Sequence, residues 1–567
     1  MVEWVEEGMI ARGAEPPKSE QWSEDDWVVV PPGTHLPFTK RDLVTKLHEQ
    51  LPETIDRPKF DACLQLAAHV VHARAFETLE ALKDDFSYFD PTATSPTDAD
   101  EAELRKRERG FFSNLLTALV RGNFIPLSDE LYRKAIDQRF VLDVPVKVRW
   151  ERLDGTPVRS FLDWADSPEG ESLRRELSID GSLRDFIEFP EAFEERAFVF
   201  HRGLSPLQSE GTFIAAKLDI WLTRILRIVA YPIVVAVERY LEGPKRPRAT
   251  NPGLNEDDPD AWRQRWVRRL GLENLPLASL FKTSRLQEPA YREMVVVFRL
   301  HPNSSKLLER LGMQKKPNED ESRRRLHIKI FRDIPLADSE IVFPENTPQM
   351  RTLDAVLLTL TALAAAPAVV KALGGGGGAS LVIAIVLVTY VSKVVGQYFR
   401  ARKMRMARMT QELYHKTRDN DVGVLQYLVD AGEEQDFKEI ALVYGVMLHE
   451  QEPLTEKETD ERVEAFVREH FSGLDVDFEI RDALRKAVDG ETPLGLLEQT
   501  TGPDGQARYR ARPPHEVYDA LLGTWQTFAQ RLHDGAASGT TASKAAAPAS
   551  PSVTASAPQL APVGSDG

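Results

Sequence analysis

The longest apolar pattern in the chain lies between Leu353 and Val395, where two apolar runs flank five glycines, Gly374 to Gly378. A helix rises about 1.5 Å per residue, so about 20 apolar residues match the hydrocarbon thickness of a bilayer. The second run reaches that length, whereas the first is shorter between its charges, Asp354 and Lys371. The pattern predicts a transmembrane helical hairpin at 353–395. A buried helical hairpin in a protein core is the alternative.

Basic residues flank this segment on both sides, and the glycine turn carries no charge. Basic flanks favour the cytoplasmic side of a membrane. We therefore expect a multi-pass membrane protein with both termini in the cytoplasm, at the inner membrane if the source is bacterial. Anionic lipid head groups attract such residues by about 1 kcal/mol each. The predicted head-group contacts are Arg400, Arg402, Lys403, Arg405 and Arg408, for which a solvated helix face is the alternative.

Apolar residues recur every three or four positions in the N-terminal helical region, 36–102, where Thr39 and Asp61 are plausible helix starts. Residues 103–345 predict an α+β region with a small sheet, because short runs rich in Val, Ile and Phe follow two further helices. These runs lie at 140–150, 197–204, 294–302 and 326–334. Residues 213–242 fit either a packed core helix or an interfacial amphipathic helix.

A basic juxtamembrane helix and further helices are predicted over 396–450, and a winged-helix-like block over 451–533. The block begins with Thr455 and Glu458, a capping-box pattern, and reads helix, helix, hairpin, helix. Its basic residues could contact DNA. Packing or protein contact is the favoured alternative, because the chain is acidic. The possible DNA contacts are Arg481, Arg485, Lys486 and Arg510, with Arg508 and Arg512 also on the wing.

Composition narrows the class of protein. The 567 residues carry a net charge of −16, which argues against a general nucleic-acid binder, and the single cysteine, Cys63, excludes a disulfide framework. Residues 1–35 read as a flexible acidic leader without a secretory signal. Residues 534–567 are rich in Ala, Pro, Ser and Thr, so a disordered tail is expected.

Known catalytic patterns do not occur: the sequence contains no phosphate loop, GxSxG elbow, HExxH or kinase set. His69 and His72 share a helix face near Cys63, but no third metal ligand is evident, so an ordinary helix surface is preferred. Four residues at 433–439 form an acidic cluster, read as a solvated face with Glu434 four residues before Lys438. No cofactor or metal is predicted. Enzymatic activity is left open, and a protein without such activity is favoured.

Several strings resemble the transmembrane protein 143-like family, most specifically IKIFRDIPLADSEIVFPE and DNDVGVLQYLVD. The likeness covers most of residues 35 to 530 and is weakest between Gly243 and Ala290. The five-glycine turn and the Ala/Pro tail depart from the family's pattern. The resemblance implies a domain of unknown function and two membrane segments within a larger soluble body. It implies no activity and no catalytic residues.

The sequence thus predicts a mixed α+β fold, predominantly helical, with a small sheet, a two-helix transmembrane hairpin and a winged-helix-like C-terminal block. The leading functional hypothesis is a cytoplasm-facing scaffold or adaptor anchored in the bilayer, with unknown protein partners. The alternatives are a membrane-tethered DNA-binding regulator, although nucleic acid is not the expected partner, and a pore or lipid transporter formed by a homo-oligomer.

Overall fold

A computed structural model describes the chain mainly at 34–92, 100–136, 146–211, 284–301, 325–348, 413–471, 476–488 and 494–526, apart from single positions. It adds short pieces at 9–10, 27–30 and 265–268, and scattered single residues elsewhere. The fold contains long helices, one larger antiparallel sheet and several small ones. A mixed α+β class with predominantly helical character is therefore correct for the described residues.

The N-terminal helices begin at side chains that accept hydrogen bonds from the first turn. Thr39 caps the first helix, as predicted. The second helix begins behind Asp56, not Asp61, because Asp56 accepts from the backbone N–H of Lys59 and Pro58 lies in the first turn. The helices before the large sheet are α1 (Lys40–Gln50), α2 (Arg57–Phe86), α3 (Glu101–Arg121), α4 (Asp129–Ile136), α5 (Thr156–Ala165), α6 (Glu171–Glu176) and α7 (Leu183–Ile187).

All pairs in the large sheet are antiparallel, and its strand order is β10-β8-β7-β5-β3. The runs rich in Val, Ile and Phe that predicted strands at 197–204 and 326–334 lie almost entirely in this sheet, as do residues 294–298 of the run at 294–302. Of the predicted run at 140–150, residues 146–148 instead form a separate pair, β4 with β9. The strands are β1 (Met9–Ile10), β2 (Trp27–Val30), β3 (Ile125–Pro126), β4 (Val146–Val148), β5 (Ala197–Gly211), β6 (Arg265–Arg268), β7 (Ser284–Phe298), β8 (His327–Pro335), β9 (Asn346–Pro348) and β10 (Thr417–Asn420).

The two faces of the large sheet belong to different cores, because successive side chains along a strand point to opposite faces. Phe198, Phe200 and Val295 pack with α3, α5 and the second half of α2. Val199 and Val296 pack on the other side, against the 3₁₀ segment Leu336–Val342 and its neighbours. The face that carries α3 and α5 holds the cavities described below.

Helix α8 (Val422–Met447) connects this sheet to the C-terminal block. Its first half, including Leu425 and Leu428, packs in the core that contains α3. Its second half, including Ile440 and Tyr444, packs against α1, the first half of α2 and the C-terminal block. A single helix therefore contributes both to the core on the α3 face of the sheet and to a third core, formed with α1 and the C-terminal block.

The C-terminal block has the predicted order of helix, helix, hairpin and helix. Thr455 and Glu458 form the predicted capping box. Gly505 takes a positive φ of 78° in the turn of the hairpin, a conformation that glycine adopts without strain. The elements are β11 (Leu454–Thr455), α9 (Glu456–His470), α10 (Ile480–Ala487), β12 (Leu497–Thr501), β13 (Ala507–Ala511) and a helical stretch at 514–526.

The predicted transmembrane hairpin needs correction. Among the described residues, no helix is both long enough and apolar enough to cross a bilayer. The long helices α2 and α8 both contain several charged side chains, those of α8 between Asp430 and Glu439. Most of 353–395 lies outside the described residues. The predictions of an integral membrane protein and of a multi-pass location with cytoplasmic termini are therefore contradicted, and the anchored scaffold, tethered regulator and pore that depended on them fall as well.

Other predictions concern parts of the chain that are only partly described. The leader contributes β1 and β2, which pair with β6. Most of residues 1–35 lie outside the described residues, so the flexible leader stays a prediction. Apart from Tyr231, residues 213–242 lie outside the described part, as does the predicted tail at 534–567. Their predicted character is not tested.

Candidate functional site

A surface cavity of about 500 Å³ lies between α3 and α5. Its polar walls are mostly basic, and one aromatic ring, that of Trp164 on α5, faces them. The lining residues are Ala102, Arg105, Lys106, Arg109, Gly110, Ser113 and Trp164.

Helix periodicity explains why α3 supplies most of this lining. Side chains three or four positions apart share one helix face, so Arg105, Arg109 and Ser113 line the cavity together. The next face of α3 packs against α2, and Gly110 allows this approach. A Cβ at Gly110 would lie 2.6 Å from the Asp85 carboxylate, which no real side chain could occupy without a shift.

The cavity carries positive charge and unmet hydrogen-bonding capacity. Arg105 pairs with Glu101 at 2.6 Å, but Lys106 and Arg109 form no ion pair with any described carboxylate. The Arg109 guanidinium lies 5.9 Å from the centre of the Trp164 ring. Its Nε and the Ser113 hydroxyl are buried without a hydrogen-bond partner. Such atoms cost free energy unless something accepts their hydrogen bonds.

A second cavity of about 530 Å³ adjoins the first and shares Arg109 and Trp164 with it. Its walls come from α5 and the turn that follows, and they are chemically different, with three hydroxyls and two carboxylates. The remaining lining residues are Thr156, Arg159, Ser160, Asp163, Ser167 and Glu169.

A buried ionic cluster joins α8 to α10. The carboxylates of Asp436, Glu439 and Asp482 lie within 4.8 Å of one another, the spacing of possible metal ligands. The Lys486 ammonium already lies among them, at 2.5 Å from Asp436, 2.9 Å from Glu439 and 2.5 Å from Asp482. Asn123 donates a further hydrogen bond to Glu439, at 3.0 Å. An ammonium therefore supplies the positive charge that a metal would bring.

This cluster corrects the prediction of a solvated acidic face. Asp436 and Glu439 are buried, although the predicted pair between Glu434 and Lys438 does form, at 2.8 Å. The neighbouring carboxylates hold the pKa of Lys486 well above its usual value against the opposing effect of burial. Three acids and one lysine thus fasten the C-terminal block to α8.

The predicted DNA-contact residues do not form one exposed basic face. Lys486 is committed to the buried cluster. Arg485 donates to Asp482 at 2.6 Å and to the Glu176 carbonyl at 2.8 Å. Arg481 is exposed and pairs with Glu456 at 3.2 Å, and Arg510 is exposed on the hairpin.

Two of the predicted head-group residues are described, and both Arg400 and Lys403 are exposed. Arg402, Arg405 and Arg408 lie outside the described residues. Their predicted contacts with lipid stay a prediction.

The three side chains considered as weak candidates for metal ligands, Cys63, His69 and His72, each contact a different partner. The Cys63 thiol is buried and donates to the Pro514 carbonyl at 2.9 Å. His69 lies against the Trp525 ring, and His72 bonds the Glu433 carboxylate at 2.8 Å. The three side chains therefore do not converge on one site.

We expect Glu439 to make stability depend on pH. Burial raises the pKa of Glu439 to about 7 from 4.5, aided by Asp482 and Asp436 and opposed by Lys486. The folded state then holds on this group a proton that the unfolded chain has released, so the contribution of Glu439 to the free energy of unfolding falls, by up to about 3 kcal/mol, as pH rises from about 4.5 to about 7.

Glu439→Gln should remove this slope, because the amide does not titrate. The free energy of unfolding in urea, measured at several pH values, tests this. Glu49→Gln, at an exposed pair with Lys46, should keep the slope of the natural protein. The same slope in Glu439→Gln would show that another group titrates.

A second buried ionic network lies where β5, β7, β10 and α8 meet. The Glu293 carboxylate accepts from Arg202 at 2.7 Å, from Arg418 at 2.6 Å and from the Tyr427 hydroxyl. Arg202 also donates to the Gly122 carbonyl at 3.0 Å. Burial raises the pKa of Tyr427 to about 12, so its hydroxyl stays a donor. The Glu293 carboxylate thus already accepts hydrogen bonds from three side chains. We therefore assign this network a structural role and not a ligand-binding one.

Sequence reasoning missed the cavity residues. The available signal was the spacing of Arg105, Lys106 and Arg109 along one face of a predicted helix, with the small Gly110 and Ser113 beyond them. That pattern is usual on solvated helices. Trp164, which completes the cavity, comes from another helix and has no local link to them.

Comparison with known proteins gives one family. Residues 291–423 match a family described as a protein of unknown function, DUF3754. No curated protein and no solved structure matches the chain. The match spans β8, β10 and most of β7, and includes Glu293 and Arg418 but none of the cavity residues. It agrees with the expected domain of unknown function, and nothing in it concerns the transmembrane protein 143-like family. The matched segment, less than half of the chain, is thus similar to a family without an assigned activity.

Proposed function

We propose that this protein binds a small anionic ligand, with phosphate as the group recognised, in the cavity between α3 and α5. The observation that carries the proposal is a cavity lined by Lys106 and Arg109, neither of them paired with a described carboxylate, together with the Ser113 hydroxyl. The two cationic side chains would attract a phosphate, and the Arg109 guanidinium and the Ser113 hydroxyl can donate hydrogen bonds to its oxygens.

Binding is favoured over catalysis by the kind of side chains in the cavity. Guanidinium, ammonium and hydroxyl groups on one helix face can orient an anion. A nucleophile held by a general base, the usual arrangement for group transfer, is not formed by the described lining residues. The acidic chain as a whole also makes a local basic cavity selective, since it repels large polyanions such as nucleic acid.

Arg109→Ala should weaken phosphate binding by about 10- to 100-fold, because it removes a charged donor that is already desolvated. Ser113→Ala should weaken it by about 2- to 10-fold, as expected for a neutral hydrogen bond. Isothermal titration of the full chain with inorganic phosphate measures both constants. The rise in unfolding midpoint with phosphate concentration gives a second readout.

Arg175→Ala is the matched control, since Arg175 is an exposed arginine paired with Glu171 on the neighbouring α6. It should bind phosphate as the natural protein does. Equal weakening by Arg175→Ala and Arg109→Ala would mean that net charge, not the cavity, holds the anion. Absence of phosphate binding at low ionic strength would overturn the proposed function.

A further inference from the structure

The two cavities beside Arg109 and Trp164 are parts of one groove with unlike ends. Both are lined by these two residues, and each holds about 500 Å³. The end on α3 is basic. The end on α5 presents hydroxyls, two carboxylates and the Arg159 guanidinium, so a ligand that fills both ends must itself have two chemically different parts.

The α5 end has the groups that recognise a polyol. Carboxylates and hydroxyls accept hydrogen bonds from ligand hydroxyls, and the Trp164 ring offers an apolar face to the C–H side of a sugar or cyclitol. Ser160 and Glu169 belong to no ion pair or hydrogen bond through their side chains within the described part of the chain. By contrast, Asp163 pairs with Arg184 at 2.7 Å.

We propose that the ligand is a phosphorylated polyol, a sugar phosphate or inositol phosphate. Its phosphate lies against Arg109 and Ser113, and its hydroxylated ring lies beside Trp164, towards Ser160 and Glu169. The proposal rests on the proposed function, since it assigns the second half of the same ligand. The α5 end carries the cationic Arg159 beside Asp163 and Glu169, whereas the lining of the α3 end is basic and holds no carboxylate, so the phosphate is assigned to the α3 end.

Affinities of the full chain for several probes test this inference. The probes are inorganic phosphate, glucose, glucose 6-phosphate, ribose 5-phosphate and inositol 1-phosphate. At least one polyol phosphate should bind about 10-fold or more tightly than inorganic phosphate, as one or two added hydrogen bonds allow. Glucose alone should bind more weakly than the phosphorylated probes, because it lacks the charged group.

The double variant Ser160→Ala/Glu169→Gln should lose this selectivity while still binding inorganic phosphate. The readout is the ratio of the dissociation constant for inorganic phosphate to that for the polyol phosphate. This ratio cancels the general effect of removing one negative charge. Arg109→Ala should weaken all phosphorylated probes. Arg175→Ala should preserve the ratio.

The outcomes separate the two proposals. If inorganic phosphate binds but no polyol phosphate binds more tightly, this inference is overturned and anion binding stands. An unchanged ratio in the double variant also overturns it. If inorganic phosphate does not bind at all, the proposed function fails, and this inference fails with it.

Discussion

Lys486→Met is expected to lower the free energy of unfolding by about 3–5 kcal/mol near neutral pH, because it leaves buried carboxylates without their counter-charge. The Lys486 side chain is 15 % exposed and Glu439 only 4 %. Methionine keeps most of the length and apolar volume of lysine, so the loss reports charge more than packing. Urea unfolding of the two proteins measures it.

The loss in Lys486→Met should shrink as pH falls. Lys486 lowers the pKa of Glu439 and of Asp482, so without the ammonium these pKa values rise in the folded state, which then holds protons that the unfolded chain releases. Stability then decreases with rising pH more steeply than in the natural protein. Adding Glu439→Gln to Lys486→Met should recover part of the loss, because one buried charge is removed.

Arg481→Met is the control for this experiment. Arg481 lies on the same helix, α10, but is 71 % exposed and pairs with Glu456 at the surface. Its replacement should cost less than about 1 kcal/mol. If Lys486→Met and Arg481→Met lowered the free energy of unfolding by similar amounts, Lys486 would not have the stabilising role of a buried counter-charge.

The burial of Lys486 among acidic side chains could not be predicted from the sequence. The spacing of Arg481, Arg485 and Lys486 predicted one basic helix face. Local periodicity does identify which residues share a face. It cannot identify what that face packs against, and here acidic side chains from α8, about 50 residues earlier, lie against it.

The sequence predicted several strands and helix caps, but it did not predict which strands pair with one another. The runs rich in β-branched and aromatic residues in β5, β7 and β8 predicted strands because such composition is a local property of the chain. The pairing of β4 with β9 was missed, because the two strands lie about 200 residues apart and carry no signal for each other. The start of α2 was misplaced because Asp56 and Asp61 are equally good capping residues, and only Asp56 precedes a proline in the first turn.

The predicted membrane anchor is contradicted, because no helix within the parts of the chain that the structure describes is both long enough and apolar enough to cross a bilayer. The candidate cavity could not be predicted from local sequence patterns, because a groove between α3 and α5 depends on Trp164 approaching Arg109 in space.

Glu293→Gln is expected to lower the free energy of unfolding by about 3–5 kcal/mol, because it leaves the Arg202 guanidinium buried without its carboxylate. The Arg202 and Glu293 side chains are only 7 % and 9 % exposed. Glutamine has the same shape, but its amide cannot accept charged hydrogen bonds from Arg202, Arg418 and Tyr427 as a carboxylate does. The comparison again uses urea unfolding.

Two further variants separate the buried charge from the surface charge. Arg418→Met removes the outer arginine, whose side chain is 45 % exposed, and should cost about 1 kcal/mol or less. Arg202→Met/Glu293→Met removes both buried charges and should be more stable than Glu293→Gln, since it leaves neither the buried arginine nor the buried glutamate without its counter-charge. If the double variant were instead the less stable of the two, the network would contribute through its hydrogen-bond geometry across β5, β7 and α8 rather than through charge balance.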